Sequence, residues 1–117
     1  MLQEHITSRE GFIEPLMVAN YFHTTIEEVS AFTGVALSTL KKSARSQTPK
    51  AQSKLQGVTE IISKVTAWTG SEQLAFAWYR NEPIPAFGGL TIENVVIQGD
   101  IAKARKYIES LALGGYA

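Results

Sequence analysis

Residues that begin and end helices recur along this chain and constrain its fold more than any other feature. Thr25 and Glu28 have the spacing of a capping box, in which a hydroxyl and a carboxylate each bind a backbone N–H that the first helical turn leaves free. Three later residues with short polar side chains are predicted to cap further helices, namely Ser71, Thr91 and Asp100. Glycines are predicted to end helices at Gly34, Gly70 and Gly99. Because the alternation typical of strands is nearly absent, we predict an all-α fold, a compact bundle of about six or seven short helices.

Apolar residues at helical spacing predict which helix faces are buried. One long helix, ended by a glycine, carries an apolar stripe made of Val58, Ile61, Ile62, Val65 and Trp68. The last helix is predicted to bury Ile101, Ala104, Ile108 and Leu111. Between these helices, the segment NEPIPAFGG at residues 81–89 contains two prolines and two glycines, so it is predicted to be a loop.

Composition excludes several classes of function. The chain has no cysteine and only two histidines, so it cannot form a disulfide or a thiolate metal site, and we expect no metal or cofactor. No carboxylate or nucleophile stands at a fixed spacing from His23, and we therefore expect no catalytic residue and no enzymatic activity. No apolar run approaches the ~20 residues that span a bilayer, and the first residues lack the pattern of a secretory signal. We expect a cytoplasmic protein that does not interact with membranes.

Charge is unevenly distributed, although the formal net charge is zero. Residues 1–28 carry five glutamates against one arginine, whereas residues 29–59 carry five cations and no acidic residue. These cations are Lys41, Lys42, Arg45, Lys50 and Lys54. A basic block of this kind is typical of a surface that binds a polyanion, and it is equally typical of a solvated helix face.

The segment IEEVSAFTGVALSTL at residues 26–40 has the spacing of a helix-turn-helix unit. Counted from Ile26, the turn glycine falls at position nine, Gly34, and the small residue where the helices cross falls at position five, Ser30. The apolar positions four, ten and fifteen are Val29, Val35 and Leu40. The alternative interpretation is a helical hairpin in the core. The second helix, predicted over STLKKSARS at residues 38–46, is the basic one. We therefore predict that its residues 38–45 form a recognition helix that contacts DNA through Ser38, Thr39, Lys41, Lys42 and Arg45.

The second half of the chain resembles the toxin-binding domain of the Xre/MbcA/ParS antitoxins, which are paired with RES-domain toxins. The residues that carry the resemblance are Trp78, Pro83, Pro85, Phe87, Gly88, Gly89, Thr91, Asp100 and Gly115. Together with the helix-turn-helix ahead of it, the resemblance covers residues 15–117. Two positions depart from the family pattern, since Ile92 stands where proline often follows the capping threonine and Phe87 where leucine usually precedes the glycine pair.

This resemblance implies an antitoxin that binds and neutralises a cognate, NAD-targeting RES-domain toxin, with its carboxy-terminal end at or near the toxin's active-site cleft. In many members of the family the helix-turn-helix also binds operator DNA and represses the protein's own operon, whereas in others it serves packing or dimerisation. The predicted organisation is an N-terminal tail at 1–14, an Xre-like helix-turn-helix region at 15–57 and a toxin-binding region at 58–117. A freestanding dimeric helix-turn-helix regulator without a toxin partner is the alternative.

The predicted toxin-binding residues lie at the end of the chain. The last helix supplies a platform with three cations that can pair with acidic groups around a cleft, and the residues after it supply a narrow end. These residues are Lys103, Arg105, Lys106, Gly114, Gly115, Tyr116 and Ala117. We also expect a homodimer, because paired helix-turn-helix modules bind two DNA half-sites. Its contact is predicted to use apolar positions between Val58 and Trp68 or on the domain after them.

Overall fold

The computed structural model describes residues 2–114, and its helices confirm the predicted all-α class. Within this range the chain forms no β-sheet, and an isolated bridge pairs Thr7 with Ile13. The α-helices of the described part are α1 Leu2–Ile6, α2 Pro15–Tyr21, α3 Ile26–Thr33, α4 Leu37–Leu40, α5 Ser43–Ser46, α6 Pro49–Thr69, α7 Glu72–Asn81, α8 Ile92–Ile97 and α9 Ile101–Ala112. A 3-10 helix at Pro85–Phe87 lies between α7 and α8.

Nine helices therefore stand in the described part of the chain where six or seven were predicted. One additional helix is α1, which lies in the segment predicted as an N-terminal tail and buries Leu2 and Ile6. The other arises because residues 38–46, predicted as one helix, form the end of α4 and all of α5.

The predicted continuous recognition helix over residues 38–45 is wrong. Lys42 has an extended backbone, with φ −121° and ψ 122°, so it separates α4 from α5. Leu40, at the end of α4, and Ser46, at the end of α5, are both buried in the structure. In one continuous helix these two side chains would point about 120° apart, whereas the break at Lys42 changes the direction of the chain between them. Each of the two short helices thus places its own last residue in the core.

The chain divides into two units, unit 1 ending at Thr59 and unit 2 beginning at Glu60, and the division lies within α6. The core of unit 1 is built from residues of α1 to α5 and the first part of α6. Its largest enclosed side chains include Leu2, Ile6, Val18, Val29, Phe32 and Leu55. Phe22 packs edge-on against Phe32, with ring centroids 6.2 Å apart.

The start of α6 differs from the prediction, which placed the helix around its apolar stripe from Val58. The helix begins at Pro49, whose missing N–H costs nothing in a first turn. The hydroxyl of Thr48 accepts a hydrogen bond from the Ala51 N–H at 3.4 Å. The Thr-Pro pair therefore starts the helix.

In unit 2, the predicted caps are confirmed. Ser71 accepts a hydrogen bond from the Leu74 N–H at 3.1 Å, and Asp100 accepts one from the Lys103 N–H at 3.4 Å. Thr91 forms a complete capping box with Asn94. The core of this unit includes Ile61, Ile62, Val65, Ala75, Tyr79, Ile84, Ile92, Val95, Ala104 and Ile108.

An ion pair joins α7 to α8 in unit 2. The guanidinium Nε of Arg80 donates to Oε1 of Glu93 at 2.6 Å, and both side chains are largely shielded from solvent. A charge-assisted hydrogen bond of this length between two packed helices restricts how α8 can shift against α7. The loop that follows α7 is thus held between two helices that are themselves tied together.

Candidate functional site

The turn between α3 and α4 contains the glycine that the sequence predicted to end α3. Gly34 ends α3 in a left-handed conformation, with φ 78°. The Ser30 hydroxyl donates to the Val35 carbonyl at 2.6 Å, and the Thr33 hydroxyl accepts from the Val35 N–H at 3.2 Å. The apolar positions predicted to lock the helices are all buried, namely Val29, Val35 and Leu40. Side-chain hydrogen bonds on both sides of Val35 hold this turn rigidly.

The predicted DNA-binding residues are distributed over two one-turn helices and the turn between them. Ser38 and Thr39 lie in α4, Lys41 and Lys42 lie in the connection, and Arg45 lies in α5. All are exposed except Thr39, which is half-buried. They do not line one face of a single helix, because the chain direction changes at Lys42.

A second basic feature of unit 1 is a groove of about 280 Å³ between the α3–α4 turn and the first turns of α6. One part of it is lined by Gly34, Val35, Ala36 and Thr39. Lys50 and Lys54 line the part belonging to α6, one helical turn apart, and no acidic residue is among the lining residues. We define these residues, together with Thr48 and Ala51, as the basic groove.

The sequence placed Lys50 and Lys54 in the basic block without predicting that they form a site. The Thr-Pro pair at Thr48 and Pro49 was the signal that could have indicated this site. A helix that starts at Pro49 places the two lysines on one face. What the sequence does not show is that this face lies beside the α3–α4 turn. That proximity comes from packing within unit 1.

The three predicted toxin-binding cations lie on exposed positions of α9. The Lys103 ammonium lies 5.2 Å from the centroid of the Phe87 ring, within the range of a cation–π interaction. Arg105 is 3.7 Å from a carboxylate oxygen of Glu60. Lys106 extends from the same helix and is exposed. Two of the three cations thus already contact other parts of unit 2.

The predicted narrow end is only partly described by the structure. Gly114 follows α9 in a left-handed conformation, with φ 86°, and is exposed. Gly115, Tyr116 and Ala117 lie outside the described residues.

The loop between α7 and α8 is held by backbone hydrogen bonds and by α9. The Ile84 N–H donates to the Leu90 carbonyl at 3.0 Å, and the Ile84 carbonyl accepts from the Gly89 N–H at the same distance. The Phe87 ring packs against Tyr107, with centroids 5.1 Å apart. Partial burial and, secondly, the Glu82 carboxylate raise the pKa of Tyr107. The loop and α9 form one packed platform.

An apolar groove of about 600 Å³ lies between the last turns of α6 and α9 in unit 2. Its apolar lining consists of Ala67, Trp68, Leu111, Ala112 and Leu113. Its charged lining residues are Lys64 and Glu109. Leu113 is 89% exposed and Trp68 is 41% exposed, although the sequence placed Trp68 on a buried stripe. We call this site the apolar groove.

Trp68 departs from the buried stripe because it lies at the end of α6. The preceding stripe residues Ile61, Ile62 and Val65 are enclosed by unit 2, whereas the Trp68 ring is packed edge-on against Trp78, with centroids 5.9 Å apart. One flank of the indole is covered and the rest faces the groove. Trp68 is the last residue of the stripe and lies close to Gly70, which ends the helix, and this position was the feature of the sequence that indicated its exposure.

The predicted dimer contact through the α6 stripe is wrong for four of its five positions. Val58, Ile61, Ile62 and Val65 are at most 1% exposed. Because they are already enclosed by the chain's own side chains, they have no surface left to present to a second copy. Trp68 remains available, as do exposed apolar residues elsewhere in unit 2.

No protein-family model, curated protein or solved structure matches this chain. Among residues 2–114, no group of three histidine, aspartate or glutamate side chains is placed to hold a metal ion. None of the helices in that range is long and apolar enough to cross a membrane. The two grooves and the exposed cations are the features from which a function can be inferred.

Proposed function

We propose that this chain is an antitoxin of the Xre/MbcA/ParS type. Unit 2 binds and neutralises a cognate RES-domain toxin that targets NAD, and unit 1 acts as a helix-turn-helix module that binds operator DNA and represses the chain's own operon. The observation that carries the proposal is the apolar groove, which ends at Leu113, immediately before the predicted toxin-binding residues Gly114 to Ala117.

The exposed side chains of the apolar groove favour protein binding. A tryptophan and a leucine that share a concave surface lose contact with water when a partner covers them, and each buried side chain of this size contributes about 1.5–3 kcal/mol. Aromatic anchors in such grooves commonly dominate the binding free energy of protein interfaces. The groove volume of about 600 Å³ is large enough to accept several partner side chains.

The platform beneath the groove supports neutralisation by insertion. The α9 helix is capped by Asp100 and packed against the α7–α8 loop through Tyr107 and Phe87. Since this helix is ordered before binding, the toxin does not have to order it, and that lowers the entropic cost of association. Lys106, which is exposed on α9, can pair with an acidic group at the rim of a toxin cleft.

The DNA-binding part of the proposal is supported by the α3–α4 turn and by the cations that follow it. Gly34 and the buried Val35 provide the helix–turn–helix joint, and the exposed Lys41, Lys42 and Arg45 follow it without any acidic residue in between. Cations placed in this way neutralise phosphates and release counterions.

The toxin-binding part is tested by co-expression with the toxin encoded by a neighbouring gene, following growth and NAD content. Leu113→Ser should weaken toxin binding by about tenfold or more, because it removes an apolar side chain from the groove. Leu74→Ser is the matched control, since Leu74 is also exposed in unit 2 but does not line the groove. Deletion of residues 114–117 should leave the fold intact and reduce protection.

Three results would each contradict part of the proposal. Full protection by the truncated chain would show that the chain end does not insert into the toxin. Equal effects of the two leucine substitutions would show that the apolar groove is not the toxin-binding surface. Failure of the full-length chain to bind any neighbouring toxin would remove the antitoxin function and leave the freestanding regulator as the better account.

A further inference from the structure

We propose that the basic groove of unit 1 is a phosphate-contact site for duplex DNA, with Lys50 and Lys54 as its cations and the Thr39 hydroxyl as its hydrogen-bond donor. The proposal rests on the DNA-binding part of the proposed function and adds to it Lys50 and Lys54, which lie outside the helix-turn-helix segment at residues 26–40.

The charge of the basic groove favours the binding of an anion. Lys50 and Lys54 are exposed, and neither forms an ion pair or a hydrogen bond through its side chain within the part of the chain that the structure describes. Residues one turn apart on a helix are neighbours, and like charges at this spacing destabilise the helix. No glutamate or aspartate between residues 29 and 59 offsets this repulsion. An anion between the two ammonium groups relieves it.

The wall of the basic groove on the α3–α4 side offers a hydrogen-bond donor. Thr39 lines the same groove, and its hydroxyl makes no hydrogen bond among residues 2–114. The Thr48 hydroxyl, by contrast, is already used, since it donates to the Arg45 carbonyl at 2.8 Å. A phosphate in the groove can therefore contact two ammonium groups and accept one hydrogen bond from a threonine, which is the usual composition of protein contacts to the DNA backbone.

The surroundings of the basic groove favour duplex DNA over a lipid surface or a free phosphate. The basic groove contains no exposed large apolar side chain, and such side chains are what an amphipathic surface inserts into a lipid headgroup layer. The positive charge continues beyond the groove at Lys41, Lys42 and Arg45. An extended row of phosphates matches this distribution better than one free phosphate, and duplex DNA is the extended polyanion that the proposed repression requires.

The rigid turn next to the groove makes the site specific in its geometry. Gly34 and Val35, held by the Ser30 and Thr33 hydroxyls, form part of the wall. A phosphate seated against this wall fixes the position of the α3–α4 turn on the duplex. The groove would thus set the orientation of unit 1, while Ser38 and the cations of the α4–α5 segment contact the adjoining DNA.

The test measures the affinity of the full chain for a duplex taken from upstream of its own gene, by fluorescence anisotropy across a series of salt concentrations. Each cation that contacts a phosphate contributes about 0.9 to the slope of log affinity against log salt concentration. Lys50→Gln and Lys54→Gln should each reduce the slope by about that amount, and the double variant by about twice as much. Arg9→Gln, an exposed cation of unit 1 outside the groove, should leave the slope unchanged.

Thr39→Val is the second variant, because it removes the hydroxyl while keeping the shape of the side chain. It should weaken binding by several-fold with an unchanged salt slope, since it alters no charge. Thermal unfolding of each variant should match that of the native chain, as the substituted lysines are exposed and unpaired.

The outcomes separate this inference from the proposed function. If the native chain binds the duplex and the lysine variants keep its full salt slope, the basic groove is not a phosphate site, although the chain still binds DNA. If the native chain binds single-stranded RNA or anionic lipid vesicles but no duplex, both this inference and the repressor role fail. Toxin binding, measured independently, is unaffected by either result.

Discussion

Tyr79 shows how a single buried residue links stability to pH. Its side chain is fully enclosed in unit 2. Burial raises the pKa of its phenol, and the Glu93 carboxylate adds to the increase while Arg80 opposes it. The unfolded chain therefore releases this proton at a lower pH than the folded chain does. The resulting stability is fully present below the ordinary tyrosine pKa of about 10 and is lost as the pH rises above it.

We expect the free energy of unfolding to fall by up to about 1.4 kcal/mol per pH unit above pH 10 through this residue. Urea titrations at several alkaline pH values can measure the slope. Tyr79→Phe should flatten it, because phenylalanine has no proton to release. Tyr107→Phe is the control, since that phenol also has a raised pKa but is only partly buried. An identical alkaline slope in the native chain and the Tyr79→Phe variant would show that the phenol does not titrate on unfolding.

At the scale of elements, Gln52 determines how the short helix α5 is held. Its side-chain amide donates to the Ile13 carbonyl at 3.0 Å and the Ser46 carbonyl at 2.8 Å, and its oxygen accepts from the Ile13 N–H at 2.8 Å. A helix of one turn has too few internal hydrogen bonds to be stable alone. The three bonds from α6 therefore anchor α5 and the segment before α2.

We predict that Gln52→Leu destabilises unit 1 by about 1–3 kcal/mol, because it leaves partly buried backbone groups without partners. Gln56→Leu is the control, as Gln56 lies one turn further along α6 and is exposed. Amide hydrogen exchange should show faster exchange at Ser46 and Gln47 in the Gln52 variant alone. Unchanged exchange at these amides would mean that α5 is held by its buried side chains and not by this amide.

At the scale of the whole molecule, the distribution of exposed apolar residues favours association through unit 2. This unit exposes Trp68, Leu74, Leu90, Ile97 and Leu113, whereas unit 1 exposes Leu16. A twofold pair formed through unit 2 would carry two copies of the proposed helix-turn-helix, an arrangement that suits DNA half-sites about 34 Å apart.

We expect light scattering to give twice the mass of one chain at working concentrations. Ile97→Arg should shift the equilibrium toward the monomer, because Ile97 is 46% exposed at the end of α8 and lies outside the apolar groove. Leu16→Arg in unit 1 is the matched control and should leave the mass unchanged. A mass equal to that of one chain would contradict the predicted homodimer.

The candidate surfaces were only partly predictable from the sequence. The cations at residues 41–45 and on α9 were identified, because charged side chains far from apolar positions are exposed in most arrangements. The basic groove and the apolar groove were not, since each combines residues distant in sequence. Thr39 and Lys54 line one groove, and Trp68 and Leu113 line the other, only after helices pack within a unit.

The sequence alone determined the helical class and most helix ends, because these depend on local chemistry. A hydroxyl at Thr91 or Ser71 caps the helix that follows it whatever lies beyond, and Gly34 adopts a left-handed backbone at low cost. Only the tertiary structure decided the break at Lys42 and the exposure of Trp68. On either side of the break, Leu40 and Ser46 are buried among residues distant in sequence, and the exposure of Trp68 depends on where the core of unit 2 ends. Both follow from how distant segments compete for the same buried space, which no local pattern records.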